Sequence, residues 1–264
     1  MTTFTAPTIP NIENNELCQQ LEQIIDQKTK PLGALGRLET LAMQLGMIQG
    51  TTTPHINQPQ IRVFAADHGL TKHGTSAYPS AVTAQMVYNF LQGGAAINVL
   101  ARQHNIELKV VDAGVDADFA NSPFKDHAQL LDYKVRHGSR DALTEPAMSA
   151  AECLAALESG MKVVESMVGN LLIVGEMGIG NTSAASLLLA RLGDTPINDC
   201  SGGGTGVDDA VVIENQHPRV GAHQQVRPEG HRDQHHQQVL RLLGAGGDPQ
   251  RDRKREDQAH HCGD

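Results

Sequence analysis

Apolar positions recur at helical spacing near the amino terminus. Leu17, Leu21, Ile24 and Ile25 fall at i, i+4, i+7 and i+8, which predicts an amphipathic helix over 15–28. Lys30-Pro31-Leu32-Gly33 breaks it. Leu38, Leu41, Ala42 and Leu45 line one face of a second predicted helix over 35–48. The period then changes. Residues 61–66 form a short apolar run that reads as a buried strand, as do 108–114 and 171–175. Helical stretches over 80–103, 148–168 and 182–192 alternate with them. Strands separated by helices pair in parallel through crossovers. The fold class expected is therefore α/β: a three-layer, doubly wound, mainly parallel sheet with helices on both faces. The domain reading is an N-terminal helical segment (1–55), an α/β domain (56–210) and a separate tail (211–264).

Composition sets the tail apart. It holds seven of the 13 His and none of the eight aromatics, and beyond residues 239–244 it has no apolar periodicity. Such a segment buries too little apolar surface to offset its ordering entropy. Its charges balance, so residues 1–210 carry the whole net charge of −9. That acidity argues against a nucleic-acid partner, which Lys and Arg would have to neutralise. Cys18, Cys153, Cys200 and Cys262 show no CxxC spacing, so free thiols are read ahead of a disulfide or a zinc site. No signal peptide and no membrane-length apolar run occurs, and a cytoplasmic location is expected.

In open α/β sheets, ligands bind beyond the carboxyl ends of the strands. The first predicted strand ends in Asp67-His68-Gly69, the second in Asp112-Ala113-Gly114-Val115-Asp116, and the third in Gly175-Glu176-Met177-Gly178-Ile179-Gly180-Asn181-Thr182-Ser183. The glycines of the third loop permit tight turns, and the helix that follows offers free amides to a phosphate. The spacing is neither GxGxxG nor the P-loop, so dinucleotide and NTP binding are not implied. A packing turn remains the other reading. Glu176 would repel a phosphate and suits a sugar hydroxyl or a positive charge. Gly202-Gly203-Gly204-Thr205-Gly206 is either a second anion cradle or a linker. His68 is a base, a metal ligand or a hydrogen-bonded loop residue. Gln85 points to solvent or ligand.

Residues 28–45 (KTKPLGALGRLETLAMQL), 65–103 (AADHGLTKHGTSAYPSAVTAQM and onward), 110–118 (VVDAGVDAD), 175–188 (GEMGIGNTSAASLL) and 202–210 (GGGTGVDDA) together resemble the nicotinate-nucleotide:dimethylbenzimidazole phosphoribosyltransferases, a family of cobalamin lower-ligand synthesis. The resemblance implies transfer of the 5-phosphoribosyl group from nicotinate mononucleotide to dimethylbenzimidazole, giving α-ribazole phosphate and nicotinate with inversion. No pyrophosphate departs, so no metal and no cofactor is expected. The family pattern implies substrate contacts at Asp67 and His68. The segment from Ser76 to Gln85, and Met177, would border the benzimidazole. Gly178, Gly180, Asn181, Thr182, Gly204, Thr205 and Gly206 would hold the nucleotide and its phosphate. Glu176 would be an auxiliary carboxylate near the reacting centre. A homodimer is implied as well.

The resemblance ends after Ala210. The family continues into a lysine-containing helix, a further βα portion and a late loop that supplies a glutamate general base. Glu214, Glu229 and Glu256 match none of it, so little or no turnover is expected of this chain. An out-of-frame reading of the coding DNA accounts for both the break and the composition. Retranslation in the other two frames tests this, and failure to recover an apolar α/β continuation overturns it. A genuine disordered tail is the alternative. Two other functions are weighed: a pseudoenzyme that binds a nicotinate nucleotide without turnover, and a metal binder using His231, His235 and His236, of which His231 and His235 stand at i and i+4.

Overall fold

A computed structural model describes residues 4–202. Gly204, Thr205, Gly206 and the whole segment 211–264 lie outside them, and so do the readings that rest on those residues. The chain divides into two compact units. One contains Thr5–Ile56, and the other runs onward from Asn57.

Among the described residues, the first unit has two helices, α1 (Asn15–Asp26) and α2 (Arg37–Gln49). The Asn14 side chain caps α1 by accepting from the Leu17 amide over 3.0 Å. Leu17, Leu21 and Ile25 are its buried stripe, and the Leu21 side chain packs against Gly46 of α2. Between the helices, the Lys30 ammonium lies 2.9 Å from the Glu39 carboxylate. The same carboxylate accepts from the Leu35 amide, which fixes the turn that the Pro-Gly sequence opens.

Among the described residues, the second unit holds a parallel sheet of four strands: β1 (Gln60–Ala66), β2 (Glu107–Gly114), β3 (Leu130–Asp132) and β4 (Leu172–Met177), in the order β3-β2-β1-β4. The parallel α/β class expected from the alternation of periods is the class observed. Strand β3 was not foreseen. Three residues are too few to show a period, and the strand exists through its pairing of Leu130 with Val110. Helices α3 (Ala81–Leu91) and α4 (Ala96–Gln103) follow β1. Helix α5 (Ala150–Glu165) precedes β4. Helices α6 (Asn181–Gly193) and α7 (Ile197–Cys200) follow it. The single helix expected over 80–103 is two helices. Gly93 and Gly94 are poor helix formers, and Asn98 stabilises the break by donating to the Phe90 carbonyl over 2.9 Å and accepting from the Ala95 amide.

The core is built on one face of the sheet. Ile61, Val63 and Ala65 of β1 and Leu108 and Val110 of β2 meet Val87, Phe90 and Leu91 of α3 and Ala101 of α4. The register pairs Phe64 with Val111 and with Glu176. Those three side chains therefore share the opposite face, where Val111 is wholly buried. Arg62 also lies on that face and is only 2% exposed. It reaches the Glu107 carboxylate at 3.2 Å, the Ile61 carbonyl at 3.0 Å and the Gln60 side chain. Strand β4 is one edge of the sheet among the described residues, and Val174 is 66% exposed.

Candidate functional site

The sheet brings the ends of β1, β2 and β4 together, because β1 lies between the other two. The Asp67 amide donates to the Gly114 carbonyl over 3.0 Å. Its Oδ2 accepts from the Asp116 amide over 2.8 Å, while Oδ1 is buried without a hydrogen-bond partner. Asp67 is 7% exposed. It thus ties the first strand end to the second.

The third strand end closes on the first. A Cβ at Gly178 would stand 2.2 Å from the Ala66 carbonyl and 2.9 Å from His68 Nε2, so only glycine lets the loop approach β1 this closely. Gly180 has φ of +85° and begins α6, a conformation that favours glycine. The buried Thr83 of α3 accepts from the Ile179 amide over 3.1 Å, which fixes the middle of the loop from the other side.

Asn181 organises the start of α6. Its Oδ1 accepts from the Thr182 amide over 2.8 Å, and its Nδ2 donates to Glu176 Oε1 over 2.6 Å. Its own amide bonds the Gly178 carbonyl at 3.0 Å. An anion at this helix start would compete with Asn181 for the Thr182 N–H and would use the positive end of the helix dipole.

Electrostatically the site places two carboxylates around one partly buried histidine. Burial lowers the pKa of His68 below its ordinary 6.5, and the Glu176 and Asp67 carboxylates oppose the shift. Asp112 is pushed up by burial, against hydrogen bonds from the Val115 and Gly114 amides and the Lys134 ammonium, which is 3.1 Å away. Among the described residues, no group of three or more His, Cys, Asp or Glu side chains could hold a metal ion.

Of the expected site residues, Asp67, His68, Glu176, Gly178, Gly180 and Asn181 meet at these strand ends. Thr182 is the exposed second residue of α6. Met177 packs against the core on the face opposite Glu176. The Ser76 hydroxyl accepts from the Tyr78 amide over 3.2 Å, and Gln85 is exposed on α3. Sequence reasoning included Thr83 only as part of the 76–85 segment and did not find Ser139, whose hydroxyl accepts from the Gly69 amide over 3.2 Å. Thr83 stands inside the quoted PSAVTAQM run, but its burial follows only from α3 packing. Ser139 lies in an irregular segment with no periodic signal.

A family model described as a phosphoribosyltransferase matches residues 11–246, which continues past Ala210. The nicotinate-nucleotide–dimethylbenzimidazole phosphoribosyltransferase of Variovorax paradoxus is 51% identical over 212 residues, covering 80% of this chain and 59% of the relative. That of Cupriavidus taiwanensis is 49% identical over 219 residues, covering 82% of this chain and 62% of the relative. The crystal structure of CobT from Thermus thermophilus is similar with a TM-score of 0.72 and 39% identity, covering 81% of this chain and 64% of that one. The chain spans about three-fifths of the length of these two curated relatives.

Proposed function

The chain belongs to the nicotinate-nucleotide–dimethylbenzimidazole phosphoribosyltransferase family, and on that premise we propose that its site serves transfer of the phosphoribosyl group from nicotinate mononucleotide to dimethylbenzimidazole. The products are α-ribazole phosphate and nicotinate. The observation that carries the proposal is the pairing of a Gly-rich helix start with a carboxylate, residues 178–182 beside Glu176, joined by the 2.6 Å Asn181–Glu176 bond. One part suits a phosphate, and the other suits a sugar on which positive charge develops.

The chemistry follows from the donor. Its glycosidic nitrogen is a cationic pyridinium that leaves as a neutral ring nitrogen. The ribose carbon becomes oxocarbenium-like as the bond breaks, and a fixed carboxylate stabilises that charge more in the transition state than in the ground state. Asn181 holds Glu176 in place for this role. In the same proposal Asp67 and His68 contact the substrate at the end of β1, while Ser76, Gln85 and Met177 border the acceptor. Gly204, Thr205 and Gly206 complete the nucleotide contacts. The attacking benzimidazole must also lose a proton, which calls for a general base. The reaction releases no pyrophosphate, so the proposal needs no metal or cofactor. Among the described residues no helix is long and apolar enough to cross a membrane, and the proposal includes a cytoplasmic homodimer.

The test combines the chain with nicotinate mononucleotide and dimethylbenzimidazole, follows α-ribazole phosphate by chromatography and measures mononucleotide binding by calorimetry. Product formation lost in Glu176→Gln supports the full proposal. Binding without product reduces it to a nucleotide-binding protein, and no binding overturns it. Light scattering checks the dimer.

A further inference from the structure

His68 is gripped from both sides by one residue of a distant segment. The Ser139 amide donates to the Asp67 carbonyl over 2.9 Å, and the Ser139 hydroxyl accepts from the Gly69 amide over 3.2 Å. Asp67 and Gly69 flank His68, so both neighbouring peptide groups are tied to Ser139. With those fixed, the φ of −118° and ψ of 122° at His68 have little room to change. The ring is then directed at the Gly178 loop, where a Cβ would stand 2.9 Å from Nε2.

Ser139 is itself anchored. Its hydroxyl donates to the Arg140 carbonyl over 3.2 Å. The Gly138 amide bonds the Gly114 carbonyl at 2.9 Å. The Arg140 guanidinium holds the Glu152 carboxylate of α5 at 2.5 and 2.9 Å, and Asp141 meets the His73 ring at 2.6 Å. Residues 138–141 therefore lie over the ends of β1 and β2 and are pinned to α5.

We propose that Ser139 is a positioning residue: by gripping the peptide groups on either side of His68, it sets the imidazole against the Gly178 loop, near the Asp67 and Glu176 carboxylates. The ligand part of the test rests on the proposed function, and the spectroscopic part does not.

The experiment uses the whole chain labelled with ¹³C-histidine and follows each imidazole by NMR against pH, with the His68 signal assigned by its loss in His68→Gln. Ser139→Ala leaves the Gly69 N–H without its acceptor. The expected result is a His68 midpoint that rises toward the ordinary value as the ring reaches solvent, and mononucleotide affinity weaker by roughly three- to tenfold, the worth of one net hydrogen bond. Ser139→Thr, which keeps the hydroxyl, restores both. Ser139→Cys, a weak acceptor, gives an intermediate midpoint and serves if Ser139→Ala does not fold. An unchanged His68 midpoint, even with a lower unfolding temperature, overturns the proposal. So does equal mononucleotide affinity in parent and Ser139→Ala when the parent binds. A midpoint shifted by Ser139→Ala, when the parent itself binds no mononucleotide, keeps the positioning role and removes the proposed function instead.

Discussion

Asn181 Nδ2 donates to Glu176 Oε1 over 2.6 Å, so the first residue of α6 reaches back to the end of β4. One amide side chain thus fixes the carboxylate and, through Oδ1, accepts from the Thr182 amide of its own helix. Asn181→Ala removes both bonds. The expected cost is about 1–3 kcal/mol in urea unfolding, the worth of two net hydrogen bonds, and Asn181→Asp recovers the bond to the Thr182 amide but not the bond to Glu176.

The charge of Glu176 is felt at His68, whose pKa it raises against the larger effect of burial. Glu176→Gln removes that attraction. The His68 midpoint then moves further below its ordinary value in a histidine NMR titration, and a midpoint that rises instead contradicts the geometry.

Folding stability carries the same signature. The folded pKa of His68 lies below the unfolded 6.5, so the unfolded chain binds the proton more tightly. The His68 contribution is complete above pH 6.5 and is lost as pH falls through the folded value. Comparing urea midpoints of the parent and His68→Gln across roughly pH 7 to 5 checks this. The parent should lose more stability than the variant on acidification.

Glu152 acts at lower pH. The Arg140 guanidinium holds its carboxyl at about 2, with the Ser149 amide and hydroxyl assisting. Its stabilising effect is present above the ordinary 4.5 and fades as pH falls through about 2. The stability difference between the parent and Glu152→Gln should therefore shrink steadily over that interval, and a difference independent of pH would contradict the pairing.

Arg62 gives a test at the opposite end of the strands. It is 2% exposed and reaches the Glu107 carboxylate at 3.2 Å. Glu107→Gln leaves a buried cation short of its counter-charge, with an expected loss of about 1–3 kcal/mol. The double change Arg62→Met with Glu107→Gln removes the charge as well, and should cost less than Glu107→Gln alone.

Much of the fold was legible along the chain because its causes are local. The stripe of Leu17, Leu21 and Ile25 specifies α1 without help from other elements. The short apolar runs at 61–66 and 108–114 read as strands, and glycines after β4 announced a tight turn beside Glu176. Tertiary structure decided what those pieces do together. Parallel neighbours come from distant parts of the chain, so no local period reports that β1 lies between β2 and β4. Register alone sends Glu176 to the face of Phe64 and Val111, and Met177 to the core side. Strand β3 exists only through its neighbour. Ser139 meets Asp67 and Gly69 because the segment 138–141 folds over the ends of β1 and β2, and hydrogen bonds between residues about seventy positions apart leave no trace in spacing or composition.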